Sequence, residues 1–248
     1  MGATAFLAAT LAVPGVAIGS FLNVVVSRVP LRLPIGTSRS RCMSCSIEIA
    51  ARDNVPLLSY LLLRGRCRSC GSAIPWRYPA VEALTAVLVA FCGAAFGLTP
   101  RMLGAALFCA LLVTLSAIEI EHGLVPDRVV VGAAGAALVV QTVLHPSARW
   151  AASGLAAALL LSVCAVVRPI SSGVLGLAVL MGAVLGPSAI VALVCGYAVA
   201  LALVAVLSVR SGSTSNRLAG PLVPCLALSS ITVLFAGGSI LPHAGVGF

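Results

Sequence analysis

The chain has 248 residues, of which 60% are hydrophobic and only 8% are charged. Soluble domains carry charge on about a quarter of their residues, so this composition excludes a soluble protein and indicates an integral membrane protein. The net charge of +9 resides in arginines, because the chain has no lysine. We expect no nucleic-acid partner, since there is no soluble basic domain to bind one.

A succession of apolar stretches predicts an all-α polytopic membrane protein with about eight transmembrane helices. The first stretch is too long for the apolar part of a signal peptide and has no basic segment before it, so we expect a retained first helix. Gly186-Pro187 divides the sixth stretch from the seventh. The predicted spans are 3–27, 79–98, 102–118, 129–144, 150–167, 171–186, 187–209 and 222–242.

Arginine is distributed unevenly between the two sides of the membrane that these spans predict. With the loop 28–78 placed inside the cell, thirteen of the 15 arginines fall on the inner side, and only Arg101 and Arg149 fall outside. Inner loops of membrane proteins are enriched in basic residues. We therefore expect a multi-pass protein of the cytoplasmic (inner) membrane, with both termini outside and the polar loop in the cytoplasm.

Four of the nine cysteines form two Cys-x-x-Cys pairs in this loop, Cys42 with Cys45 and Cys67 with Cys70. Two such pairs are the usual frame of a tetrahedral four-cysteine zinc site, and four protein ligands leave no open position, so the zinc is expected to be structural. Unmetallated thiols and a redox pair are the other interpretations of this spacing. The reducing cytoplasm disfavours disulfides.

These features predict three parts of the chain. The first transmembrane helix is 1–27, the cytoplasmic zinc-binding loop is 28–78, and a transmembrane bundle is 79–248.

Four segments carry a resemblance to a known family. Residues 19–30 read GSFLNVVVSRVP, and residues 118–127 read IEIEHGLVPD. The cysteine region 42–82 contains DNVPLLSYLLLRGRCRSC and RYPAVE, and residues 221–227 read PLVPCLA. In this order they resemble the bacterial type IV prepilin peptidases, which are leader peptidases and N-methyltransferases of pilus and type II secretion systems.

The resemblance implies an aspartyl protease of the intramembrane type, with two aspartates near the cytoplasmic ends of helices. One carboxylate activates a water molecule while the other polarises the scissile carbonyl, and the two share a proton. The implied substrates are the N-terminal segments of type IV prepilins or pseudopilins, in contact with membrane lipids. The implied cofactor of the methyltransferase is S-adenosylmethionine, but no segment of the sequence identifies the residues that bind it.

The chain departs from the family at both catalytic aspartates. Glu119 stands at the first position, seven residues before Pro126, and Val174 stands at the second. The extra methylene of glutamate displaces the carboxyl group, which is sufficient to slow catalysis by orders of magnitude. Because no Asp or Glu follows Asp127, the usual dyad cannot form. For Asp127 itself, capping of the helix that follows is the simpler interpretation.

Two functions follow from this pattern. The first is a member of the prepilin leader peptidase/N-methyltransferase family whose peptidase activity is weak or lost. The alternative is a non-catalytic homologue that binds prepilins, or a partner in pilus or secretion assembly, without cutting them.

Overall fold

The computed structural model describes residues 2–36, 40–144, 146–166, 170–211 and 220–240. Within these ranges the chain is all-α, with short 3₁₀ turns and no strand, which confirms the predicted fold class. The helices are α1 (Gly2–Arg28), α2 (Leu58–Leu62), α3 (Arg77–Phe96), α4 (Pro100–His122), α5 (Asp127–Leu144), α6 (Arg149–Cys164), α7 (Ser172–Leu185), α8 (Ala189–Ser211) and α9 (Val223–Ile240).

Each predicted span corresponds to one described helix, and α2 is a short helix within the polar loop. The division at Gly186-Pro187 is confirmed by a 3₁₀ turn over Gly186–Ser188, where Gly186 has a φ of +59° and ends α7. By length and composition, five stretches can cross a membrane: α1, α3, α4, α5 and the combined stretch Ser172–Ser208. The α6 and α9 helices are shorter apolar segments, so the count of eight crossings stays a prediction.

Large apolar side chains are exposed along most of these helices. Val13, Leu107, Leu155 and Leu228 are each more than 60% exposed. An apolar surface of this extent marks contact with a membrane or a partner, and the apolar composition of the chain identifies the membrane. Three of the inner-side arginines, Arg39, Arg168 and Arg217, lie outside the described residues.

The chain divides into two compact units, Met1–Ile118 and Glu119–Phe248. In the first unit α1 packs directly on α3. A Cβ atom on Gly19 would lie 2.6 Å from Cα of Glu82, and one on Gly15 would lie 2.7 Å from Cα of Ala86. These two glycines have the spacing that places small residues on one face of a membrane helix. The two backbones therefore touch, and no larger residue fits at either position.

In the second unit α7 packs against α5 and α6, and α8 packs against α9. Glycine again permits close approach, since a Cβ atom on Gly182 of α7 would lie 2.4 Å from Cα of Gly154 on α6. On α8, a Cβ atom on Gly196 would lie 2.9 Å from Cα of Leu226 on α9. These contacts fix the end of α7 against α6 and the beginning of α9 against α8.

Replacing Gly19 by alanine is expected to lower the free energy of unfolding by about 1–3 kcal/mol, because α1 and α3 must separate to admit the Cβ atom. Gly135 provides the matched control, since it lies within α5 and a Cβ atom there meets nothing within 4 Å. Gly135→Ala is expected to leave stability unchanged or slightly raised. Thermal unfolding in detergent measures both, and equal midpoints for the two variants would contradict the close packing.

Candidate functional site

The four paired cysteines converge on one point of the first unit. The Sγ atoms of Cys42, Cys45, Cys67 and Cys70 all lie within 4.8 Å of one another. The Sγ atoms of Cys42 and Cys70 are 3.8 Å apart. Zinc–sulfur bonds of about 2.3 Å in a tetrahedron require sulfur–sulfur distances of about 3.8 Å. The geometry therefore fits a four-cysteine zinc site, as the spacing predicts.

The first cysteine turn, residues 41–48, is a tight reversal of the chain. The amide of Cys42 donates to the carbonyl of Ile47, and the amide of Ser46 donates to the carbonyl of Cys42. Ser46 has a φ of +58°, which non-glycine residues rarely adopt. This turn places both thiols of the pair on its inner side.

The second cysteine turn, residues 66–73, repeats the first. The amide of Cys67 donates to the carbonyl of Ser72, and the amide of Gly71 donates to the carbonyl of Cys67. Gly71 has a φ of +71° at the position that matches Ser46. Each turn is also closed by one isolated antiparallel bridge. The loop therefore repeats the same local fold twice. Each of the two turns presents two sulfur atoms, and the four sulfur atoms lie close together.

Hydrogen bonds favour the thiolate form of two of these cysteines. The backbone amides of Cys45 and Ser44, together with the hydroxyl of Ser72, lower the pKa of Cys42 to about 6. The side chain and then the backbone of Ser72 lower the pKa of Cys70. Thiolate is the form of cysteine that binds metals, and the lowered pKa values favour it at Cys42 and Cys70. At Cys45, by contrast, desolvation and the neighbouring Cys42 thiol raise the pKa to about 11, so the geometry is the stronger support for the metal site.

A salt bridge connects the second cysteine turn to the segment before α2. The guanidinium of Arg68 donates to both carboxylate oxygens of Asp53, at 2.7 and 2.8 Å. This pairing lowers the pKa of the Asp53 carboxyl group. Bidentate pairs of this kind fix orientation as well as distance. The salt bridge therefore holds the second cysteine turn against the segment before α2.

A cavity of about 740 Å³ lies between this loop and the membrane helices of the same unit. We call it the loop cavity. It is lined by residues of α1 from 17 to 28, of the loop from 40 to 75, and of α3 from 78 to 82. Its volume is within the range of small-molecule binding sites. It is therefore the best candidate for a ligand site in the first unit.

Glu82 stands at the membrane side of the loop cavity and is only 7% exposed. Its carboxylate accepts a hydrogen bond from the amide of Leu57 at 2.8 Å. Leu57 has a φ of +59°, so the loop is held in a strained conformation at this contact. Sequence reasoning overlooked Glu82, although an acid near the start of an apolar span is a signal of function.

Glu119 belongs to the second unit, at the last turns of α4. Its carboxylate accepts the backbone amide of Val223 at 2.8 Å, and Val223 is the first residue of α9. The free amides and the dipole at a helix N-terminus favour an anion there. The predicted catalytic acid thus holds the beginning of α9.

Asp127 lies beside the start of α7. Its Oδ2 atom accepts the hydroxyl of Ser172 at 2.8 Å, and a Cβ atom on Gly173 would lie 2.8 Å from its Oδ1. Val174, at the second predicted catalytic position, is buried with 4% exposure. The carboxylate at the beginning of α7 is therefore supplied by α5, while the position expected to carry an acid is apolar.

The chain is similar to known proteins over almost its whole length. The family model described as Bacterial Peptidase A24 N-terminal domain matches residues 13–96. A prepilin leader peptidase/N-methyltransferase of Bacillus subtilis (strain 168) is 32% identical over 232 residues, covering 92% of this chain and 93% of that protein. The protein of that name from Burkholderia pseudomallei (strain 1026b) is 33% identical over 257 residues, covering 90% and 83%.

Over a shorter stretch, the similarity to another relative is higher. A prepilin leader peptidase/N-methyltransferase of Myxococcus xanthus (strain DK1622) is 47% identical over 112 residues, which cover 45% of this chain but only 33% of that protein. No solved structure matches the chain.

The purified chain is expected to contain one zinc ion, measured by elemental mass spectrometry. Cys42→Ser and Cys67→Ser each remove one of four ligands and are expected to abolish or strongly reduce zinc content and to lower stability. Cys195→Ser is the control, because Cys195 is an exposed cysteine of α8 outside the cluster. A zinc-free wild-type chain, or unchanged zinc in both ligand variants, would refute the site.

Proposed function

The chain belongs to the prepilin leader peptidase/N-methyltransferase family, and on this basis we propose that it acts on the N-terminal segments of type IV prepilins or pseudopilins. We propose that it retains methyl transfer and has lost most or all of its peptidase activity. The site faces the cytoplasm in this proposal, in keeping with the arginine bias of the loops. The observation that carries the proposal is the buried valine at position 174.

The arrangement of carboxylates supports the loss of proteolysis. An aspartyl protease needs two carboxyl groups that share a proton and bind one water molecule. The carboxylate of Glu119 bonds to the amide of Val223, while that of Asp127 bonds to the hydroxyl of Ser172. Val174 cannot ionise or hold water. Each of these two acids thus bonds at the start of a different helix, and the position expected to carry the second acid supplies no carboxyl group.

The first unit supports retention of the other activity. The loop cavity offers a carboxylate on Glu82, an amide on Asn23 and a guanidinium on Arg52, next to apolar side chains such as Ile49 and Leu63. Such a mixture suits S-adenosylmethionine, which combines charged groups with a flat aromatic base and supplies an electrophilic methyl group when bound. We propose that these residues hold the cofactor and the amine that accepts the methyl group. The zinc site, with the Asp53–Arg68 pair, keeps the cavity walls in place.

Methyl transfer can be measured without cleavage by supplying a substrate that is already processed. The full chain in detergent is mixed with a processed pilin N-terminal peptide and S-adenosylmethionine carrying a radioactive methyl group. We expect radioactivity in the peptide, and we expect none when the peptide is N-acetylated, because the acceptor amine is then blocked.

Two results would contradict this proposal. Absence of transfer to a peptide that nevertheless co-purifies with the chain would favour the non-catalytic binding homologue. Transfer that persists after N-acetylation would show that the methyl group goes to another atom than the terminal nitrogen.

A further inference from the structure

Glu82 is a buried acid for which the described residues supply no cation. Its hydrogen bond comes from the amide of Leu57, which is neutral. No arginine or histidine of the described ranges forms a salt bridge with it. A buried carboxylate is costly unless a cation or several hydrogen bonds compensate for the lost water. Glu82 therefore retains the capacity to bind a positive charge.

The other two acids of the loop cavity differ from Glu82 in this respect. Glu48 pairs with Arg41 at 3.0 Å, and Asp53 pairs with Arg68 at 2.7 Å. Both salt bridges lie in the loop, at the polar side of the cavity. Of the three acids that line the described cavity wall, Glu82 is the one whose carboxylate forms no salt bridge with an arginine.

Asn23 supplies a second acceptor close to the same place. It is 3% exposed, and its amide nitrogen donates to the carbonyl of Tyr78 at 3.0 Å. Its Oδ1 atom is buried and has no hydrogen-bond partner among the described residues. Buried polar atoms are almost always satisfied, so an unsatisfied oxygen in a cavity wall points to a donor that arrives with a ligand.

The packing of α1 on α3 places these two acceptors in the wall of the same cavity. Asn23 lies one helical turn after Gly19, whose contact with the backbone of Glu82 fixes the distance between the helices. Both residues line the loop cavity. A primary ammonium group carries three N–H donors and no acceptor, and it is therefore the ligand group that a carboxylate and an amide oxygen complement.

The cavity wall on α1 indicates how such a group reaches the site. Ala17, Phe21 and Val24 of α1 also line the cavity, and Phe21 is 56% exposed. These residues belong to a helix apolar enough to cross the membrane. An apolar peptide that lies along this wall would place its terminal ammonium group beside Glu82. Arg28 is the arginine of α1 that lines the cavity, and its guanidinium donates to the carbonyls of Pro34 and Ile35.

We propose that Glu82 and Asn23 form a binding site for a primary ammonium group at the membrane side of the loop cavity. The inference rests on the proposed function, since N-methyl transfer requires an amine as acceptor. Two ligands of the reaction carry such a group: the N-terminus of the processed peptide, and the amino-acid part of the methyl donor. The same site chemistry serves either, and the experiment separates them.

The test measures binding to the full wild-type chain in detergent, using fluorescence anisotropy. The first probe is a labelled apolar peptide with a free N-terminus, compared with the same peptide after N-acetylation. The second probe is S-adenosylhomocysteine. Its strength as a competitor is compared with that of its analogue lacking the amino group. We expect the free amine to strengthen binding by at least about tenfold in one of the two comparisons, as for a hydrogen-bonded charge.

Glu82→Gln is expected to remove this preference. Glutamine keeps an oxygen that accepts the amide of Leu57, so the loop is retained, and zinc content and unfolding temperature check its integrity. Glu121→Gln removes the same charge from an exposed position of α4 outside the cavity lining, and it is expected to change affinity by less than about twofold. A preference lost for the peptide identifies the acceptor amine as the ligand group, and one lost for S-adenosylhomocysteine identifies the donor.

Equal binding with and without the amino group in both wild-type comparisons would overturn the site, whatever the variants do. An amine preference that is equal in Glu82→Gln and wild type would also overturn it. A chain that prefers the free amine but transfers no methyl group would contradict the proposed function and leave the site standing. A chain that transfers methyl groups without any amine preference would do the reverse.

Discussion

The direct contact of α1 with α3 is the constraint on which the first unit depends. Gly19 allows the two backbones to touch at Glu82, and this places the Glu82 carboxylate where it accepts the amide of Leu57. The segment that contains Leu57 also holds Asp53, which pairs with Arg68 in the second cysteine turn. A continuous series of contacts thus runs from the membrane helices to the cysteine cluster, so the cavity between them depends on both ends.

In the second unit, two acids, Glu119 and Asp127, are each held at the start of a helix. A carboxylate at a helix N-terminus is stabilised by free amides and by the helix dipole, and it needs no acidic partner. Glu119 meets this condition at the beginning of α9, and Asp127 bonds to the first residue of α7. Gly173 remains necessary because a Cβ atom would lie only 2.7 Å from the backbone carbonyl oxygen of Val125. Packing at these two helix starts therefore accounts for the positions of Glu119 and Asp127 without a catalytic role for either.

Much of this architecture is predictable from the sequence, and the exceptions share one cause. Apolar runs determine the helices, Gly186-Pro187 determines a break, and the cysteine spacing determines a cluster, because each signal is local. The amide nitrogen of Asn23 donates to the carbonyl of Tyr78, which lies 55 residues later in the chain. Glu82 was missed because periodicity does not tell which face of a membrane helix meets a loop. Glu119 and Val223 are 104 residues apart, and only the packed unit brings them together.

The central claim is that this chain handles prepilins without cutting them, and the mass of the substrate tests it most directly. A type IV prepilin is produced in cells in which this chain is the only member of its family, then extracted from the membrane and weighed by intact-protein mass spectrometry. The account predicts a prepilin with its leader still attached. A substrate shortened by the leader in the wild type, and full-length with Glu119→Gln, would show that Glu119 supports proteolysis and would contradict the account.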